Sequence, residues 1–226
     1  MPPTPGRRAG LTLMPESEPN DTALRDAIVI AARSLFTRQL THGSTGNLSV
    51  RAGDQILVTP TGSSLGTVTA DELSTIRADG SHVAGPKPSK EAFLHAATLR
   101  ARPDASAVVH THSTYAAAVS CLDGLDPDNA LPPLTAYFAM RVGRLPLLPY
   151  HAPGDTSLEQ LAETTARNSH AMLLANHGPV VAAATLTAAL DAIEELEETA
   201  KLYFLLSGHP TRPLTPEQVQ QLRPTA

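Results

Sequence analysis

The sequence predicts an α/β fold in a single domain, and three observations carry that prediction. Segments with apolar residues at 3–4 spacing alternate along the chain with short apolar, strand-like runs. The length, 226 residues, suits one domain with its own core. No internal repeat and no linker-like tract divides the chain.

Each element follows from local signals. Residues 1–18 carry three prolines before residue 15, an Arg7-Arg8 pair and no apolar stretch of about 7–15 residues. They are expected to form a disordered extension rather than a secretory signal, with Met14 as an alternative start. From Ser17 to about Leu40 the pattern is helical. Asn20 or Asp21 offers an N-cap, and Leu24, Ala27, Ile28, Ala31, Ala32, Leu35 and Phe36 make one apolar face. His42-Gly43 is expected to end that helix. Two short strands follow, at 47–51 and 55–59, around the tight turn Ala52-Gly53-Asp54. A Thr/Gly/Ser-rich loop spans 59–67, and residues 69–73 form one capped helical turn. Pro and Gly break 83–88, and a helix runs from Ser89 to Arg102. A buried strand at 105–110 and an Ala-rich helix at 114–122 come next, then a loop at 123–133. A strand is expected at 145–149 and a helix from the Asp155-Thr156-Ser157 cap to about His170. Strands at 171–175 and 179–184 flank Asn176-His177-Gly178, and the last long helix covers 187–206. The folded domain is expected over residues 19–210, with a Pro-rich tail over residues 211–226.

Composition excludes several classes. Net charge is −5, without the basic excess of a nucleic-acid-binding domain. Charged residues are 17%, too few for a coiled coil or a charged disordered polymer. No apolar run reaches the roughly 18 residues of a membrane span. Cys121 is the single cysteine, so no intrachain disulfide forms, which suits a reducing cytoplasm. Cys121 is expected to be buried and inert. The acidic run Glu194, Glu195, Glu197 and Glu198 is expected to be a solvated face, partly paired with Lys201 at i,i+4.

The strongest chemical signal is His110-Thr111-His112. Side chains two apart on a strand share a face, so two imidazoles can close on one divalent metal. His177, before Gly178, and Glu91, at the start of a helix, extend this to three histidines and a carboxylate. That set is typical of zinc, or of manganese. On residue content alone, His177 also fits a hydrogen-bonded turn histidine, and Glu91 an acid favoured in a first helical turn. His95, one turn after Glu91, fits either a group that orients Glu91 or a satisfied core histidine. His151 is a candidate for the site entrance.

The second signal is small and hydroxylated. Gly43-Ser44-Thr45-Gly46-Asn47 and Thr59-Pro60-Thr61-Gly62-Ser63-Ser64 expose backbone N–H groups and hydroxyls, and Ser89-Lys90 adds a cation at a helix N-terminus. Such features bind phosphate. Neither stretch matches a nucleotide P-loop or a dinucleotide fingerprint, so a small sugar phosphate is the better fit, against ordinary turn chemistry as the alternative.

In this order, GSTGNLSVR (43–51), TPTGSSL (59–65), PSKEAFLH (88–95), HTHST (110–114) and LLANHG (173–178) resemble the class II aldolase/adducin superfamily. The resemblance implies a three-layer α/β/α sandwich on a largely antiparallel sheet, a divalent metal that is zinc-like, and a homotetramer with sites at subunit interfaces. It implies metal ligation by His110, His112 and His177 with Glu91, which also serves as acid/base. It implies phosphate binding by Ser44, Thr45, Gly46, Asn47, Thr61, Gly62, Ser89 and Lys90. Many aldolases carry a second Ser where this chain has Lys90. The segments at 129–150, 173–181 and 192–202 resemble one branch, the 3-oxo-tetronate 4-phosphate decarboxylases. That branch implies a lyase releasing CO2 and dihydroxyacetone phosphate through a metal-stabilised enediolate. Tyr137 is the best match to the family's catalytic tyrosine, and Arg141 is a candidate for anion binding or a structural cation. The alternatives are a sugar-phosphate aldolase or epimerase of the L-fuculose-phosphate or L-ribulose-5-phosphate type, and a non-catalytic adducin-like interaction module. The expected partner is a small phosphorylated sugar acid, with no nucleic acid and no membrane, in the cytoplasm.

Overall fold

The computed structural model describes residues 21–222, so the expected N-terminal extension and the Asn20 cap lie outside the described residues. An eight-stranded sheet runs through the molecule. Its strands are β1 (Asn47–Ala52), β2 (Gln55–Val58), β3 (Ser74–Arg77), β4 (His82–Ala84), β5 (Ala107–His110), β6 (Leu147–Leu148), β7 (Ala171–Leu174) and β8 (Gly178–Ala183). They lie in the order β4-β3-β2-β1-β5-β8-β7-β6. Every pairing is antiparallel except that of β6 with β7.

Alternation along the strands builds two cores. Leu48, Val50, Leu57, Val109, Leu173 and Val181 face one layer, made by α1 (Asp21–Thr37), α3 (Thr114–Ser120), α4 (Ala136–Arg141) and α6 (Leu186–Leu205). Ile56, Val58, Val108, Met172, Leu174 and Val180 face the other, made by α2 (Ala92–Ala101) and α5 (Glu159–Ala166). The result is the expected three-layer α/β/α sandwich. On β1, the α2-facing positions are polar, Asn47, Ser49 and Arg51, and the first two are buried. Asn47 pairs with His110 across the β1–β5 ladder, so the functional face is this one.

Several boundaries differ from the sequence expectations. The first helix ends before His42-Gly43. Gln39 takes a left-handed φ of 61°, and the Leu40 amide donates to the Leu35 carbonyl at 2.9 Å, closing the helix end without a glycine. Strands β3 and β4 were not anticipated. The last strand residue of β5 is His110, so Thr111 and His112 lie just past the ladder. The helix expected from Ser89 begins at Ala92, and the one expected to His170 ends at Ala166. The segment taken as a tail carries a further helix, α7 (Pro216–Gln221), capped by Thr215.

Two other expectations are corrected. Cys121 is exposed, at the C-cap of α3. The acidic run of α6 is no simple solvated face. Glu197 is buried and accepts the Tyr115 and Ala116 amides at 2.8 Å each, capping α3. Glu195 accepts the Thr135 hydroxyl, Glu194 pairs with Arg38, and Lys201 meets Glu198 at i,i+3. No helix of the described residues is long and apolar enough to cross a membrane.

Candidate active site

Four chain segments deliver the site. His110 ends β5 and is fully buried. Its Nδ1 donates to the Pro179 carbonyl at 2.9 Å, which turns Nε2 inward to the cluster. His112 follows two residues later. His177 sits in the β7–β8 turn, aimed by Asn176 at φ 55° and held by its amide on the Ser120 hydroxyl at 3.1 Å. Gly178 lets this turn close against Thr111, whose carbonyl a Cβ there would meet at 2.3 Å. Glu91 precedes α2 and is buried.

The three Nε2 atoms stand 3.0–3.3 Å apart. Glu91 Oε2 lies 3.3 Å from His110 Nε2, and Oε1 lies 3.2 Å from His177 Nε2. The four ligand atoms all fall within 4.8 Å of one another. A tetrahedral ion with bonds of about 2.0–2.1 Å holds its nitrogens about 3.3 Å apart, so the donor set fits a divalent metal.

The electrostatics agree with that fit. Burial pushes the His112 and His177 imidazoles down to about 3 and about 4, and the neighbouring rings add to it. Burial alone would raise the Glu91 carboxyl. The facing His110 and His177 rings and the Asn47 amide outweigh it and hold the group down to about 2. At neutral pH the cluster therefore offers a carboxylate beside unprotonated imidazole donors, the forms a metal requires.

A cavity of about 300 Å³ opens over this cluster. Ser44, Thr45, Gly46, Asn47, Thr61, Gly62, Ser89 and Lys90 line it with Glu91, His112 and His177, so the predicted phosphate residues and metal residues come together. The loop geometry follows from local chemistry. Thr45 donates its hydroxyl to the His42 carbonyl at 2.6 Å. Gly46 has φ 75°, and a Cβ there would strike Thr41 at 2.6 Å. The Ser89 amide is held on the Thr59 carbonyl at 3.2 Å, tying the two loops side by side.

Tyr137 is not brought to this cavity by its own chain. It stands 58% exposed on α4, in the opposite layer, under the Arg141 guanidinium at 5.2 Å. Arg141 is itself paired with Asp191. Sequence reasoning missed Pro153, which lines the cavity, and Gly154, where a Cβ would meet the Lys90 stem at 3.3 Å. His151 borders a small adjoining pocket that includes Glu91 and His177. His151 of PYHAPGD, the candidate for the site entrance, was the signal in the sequence that pointed to this loop.

Fold and site together define the class: an eight-stranded α/β/α scaffold carrying three histidines and a carboxylate whose geometry fits a divalent metal. The chain belongs to the class II aldolase and adducin N-terminal domain family, whose sequence model matches residues 26–204. A 3-oxo-tetronate 4-phosphate decarboxylase of Haemophilus influenzae is 47% identical over 203 residues, covering 89% of this chain and 97% of that one. An L-fuculose phosphate aldolase of Methanocaldococcus jannaschii is 36% identical over 173 residues, covering 76% and 91%. The crystal structure of YgbL from Klebsiella pneumoniae superposes with a TM-score of 0.87 at 45% identity, covering 90% of this chain and 99% of that one.

Proposed function

We propose that this chain is a carboxy-lyase that converts 3-oxo-tetronate 4-phosphate to dihydroxyacetone phosphate and CO2. The observation that carries the reading is the convergence of three imidazole nitrogens and the Glu91 carboxylate under a cavity rimmed by Lys90 and two hydroxyl-rich loops. The 47% identity to a decarboxylase of that name, against 36% to an aldolase, selects the branch.

In this reading, His110, His112, His177 and Glu91 hold a divalent ion, zinc in first place and manganese in second. When bound, the ion supplies Lewis acidity where negative charge develops on the substrate's C3 oxygen. Lys90, Ser89, Thr61, Gly62 and residues 44–47 take the phosphate and fix the substrate's orientation. The C1–C2 bond then breaks. Its electron pair stays with C2 and delocalises onto the C3 carbonyl as an enediolate, while C1 leaves as CO2. A proton taken from solvent completes the product at C2, and Glu91 hands it over at the cavity floor. An aldolase reaches the same enediolate by retro-aldol cleavage, which is why the alternative function uses the same residues.

Tyr137 is proposed as a second proton donor. Its exposure away from its own cavity suits a homotetramer in which it reaches a neighbouring subunit's site. We place the protein in the cytoplasm, with a phosphorylated sugar acid as its ligand and no nucleic-acid or membrane partner. The intact donor set speaks against a non-catalytic module. The test is parallel turnover of 3-oxo-tetronate 4-phosphate and L-fuculose 1-phosphate by metal-loaded protein. Faster turnover of the first, by a factor of 100 or more in kcat/KM, is expected. The reverse order would assign an aldolase.

A further inference from the structure

One buried titratable group has no part in the scheme above. His95 lies one turn along α2 from Glu91 and is fully buried between α2 and β1. Its Nε2 is 2.5 Å from Asn47 Oδ1, and its Nδ1 is 2.8 Å from Ser49 Oγ. Asn47 Nδ2 donates to Glu91 Oε2 at 2.8 Å. Asn47 and Ser49 lie two apart on the α2-facing side of β1, and Glu91 and His95 are four apart on α2, so strand and helix periods meet in one row.

The donors and acceptors in this row can be assigned in only one sense. A carboxylate accepts only, so Asn47 must turn its NH2 to Glu91. That leaves the Asn47 carbonyl facing His95, and it too accepts only, so Nε2 must carry the proton. Burial pushes the His95 imidazole down to about 3, which leaves it neutral and its Nδ1 a bare acceptor for the Ser49 hydroxyl. The chain therefore runs Ser49 to His95 to Asn47 to Glu91, each donating to the next. Both imidazole nitrogens are spent in it. A histidine serving only the core would end on backbone carbonyls; this one ends on the site's carboxylate.

We propose that His95 is a positioning residue for Glu91, acting through Asn47. The chain anchors Oε2 and so sets the plane of the carboxylate and the aim of Oε1 toward His177. The proposal rests on the functional reading only for its kinetic readout.

The test is a double-mutant cycle of His95→Phe against Glu91→Gln, read by kcat, KM and metal dissociation constant. His95→Phe keeps the volume roughly and removes both hydrogen bonds. It is expected to lower kcat and metal affinity by about 10–100-fold each, the usual effect of losing an outer partner of a ligand, with KM within about threefold. His95→Gln, which restores an N–H donor, recovers most of both. In the Glu91→Gln background, His95→Phe changes kcat by less than about threefold, because its route to the chemistry is already cut. If His95→Phe does not fold, Ser49→Ala removes only the hydroxyl that donates to His95 Nδ1, and the same non-additivity is expected at smaller size. Full kcat and metal affinity in His95→Phe, or an equal loss in both Glu91 backgrounds, overturns the proposal. If the wild type fails on 3-oxo-tetronate 4-phosphate, the functional reading falls, and the metal affinities still decide the role of His95.

Discussion

Gly178→Ala probes how tightly the fold holds the metal residues. Gly178 opens β8, directly after His177, and pairs with Leu174 of β7. A methyl there would sit 2.3 Å from the Thr111 carbonyl oxygen and 3.5 Å from the His112 Cα. Real Cβ atoms essentially never approach below 3.0 Å, so the two backbones must part by at least about 0.7 Å. Neither is a flexible side chain that can swing aside. One backbone carries His177 and the other carries His112, so the shift falls on two of the three imidazoles. Overpacking of this kind costs about 1–3 kcal/mol, or roughly 2–12 °C in Tm for a chain of this size. The functional loss is larger, because a misplacement near 1 Å costs on the order of 100-fold in rate. Metal affinity and kcat are expected to fall by about 10–100-fold each, measured by chelator competition and by steady-state turnover. Gly124→Ala is the control. It has φ 73° with nothing within 4 Å of its Cβ, so it should lose about 1–2 kcal/mol of stability and no activity. A Gly178→Ala protein with native metal affinity and kcat would refute the argument, as would an equal functional loss in Gly124→Ala.

Other outcomes follow from the same geometry. Glu91→Gln should keep its circular dichroism spectrum and lose about 10²–10⁴ in kcat, as expected for a proton-transfer group. Lys90→Met should raise KM for the phosphorylated substrate by about tenfold and change kcat little, with a weaker salt dependence of KM than the wild type. For metal-free protein, the depressed values of His95, His112 and His177 make the unfolded chain the better proton binder below its ordinary histidine value near 6.5. Stability should therefore be full above about pH 6.5 and fall progressively as pH drops toward 3, with Glu91 adding to the loss below about pH 4.5. Thermal melts of chelated protein across this range check the sign; a flat or rising Tm on acidification contradicts it.

Most of the site was legible because its residues announce themselves in short motifs. His110, His112, His177 and Glu91 converge as expected, and both hydroxyl-rich loops line the cavity. The hairpin β1–β2 and the helices α1 and α6 were legible from periodicity. What escaped depends on long-range pairing. The strand β3 begins with buried Ser74 and Thr75, so no apolar run marks it, and Ser74 is satisfied by the distant Pro86 carbonyl. All three residues of β4 are exposed, leaving no pattern to read. Glu197 looked like a surface acid because its partners, the Tyr115 and Ala116 amides, lie 82 and 81 residues away. Likewise nothing local distinguishes His95 as a core residue from His95 as a link to Glu91, since Ser49 and Asn47 lie 46 and 48 residues upstream.

The most direct test follows CO2 and dihydroxyacetone phosphate together from 3-oxo-tetronate 4-phosphate, using one protein preparation as isolated, after chelation, and after reloading with a divalent ion. The account predicts equal amounts of both products, loss of both on chelation, and recovery of both on reloading. Product release that survives complete removal of metal would contradict it, and so would dihydroxyacetone phosphate formed without matching CO2.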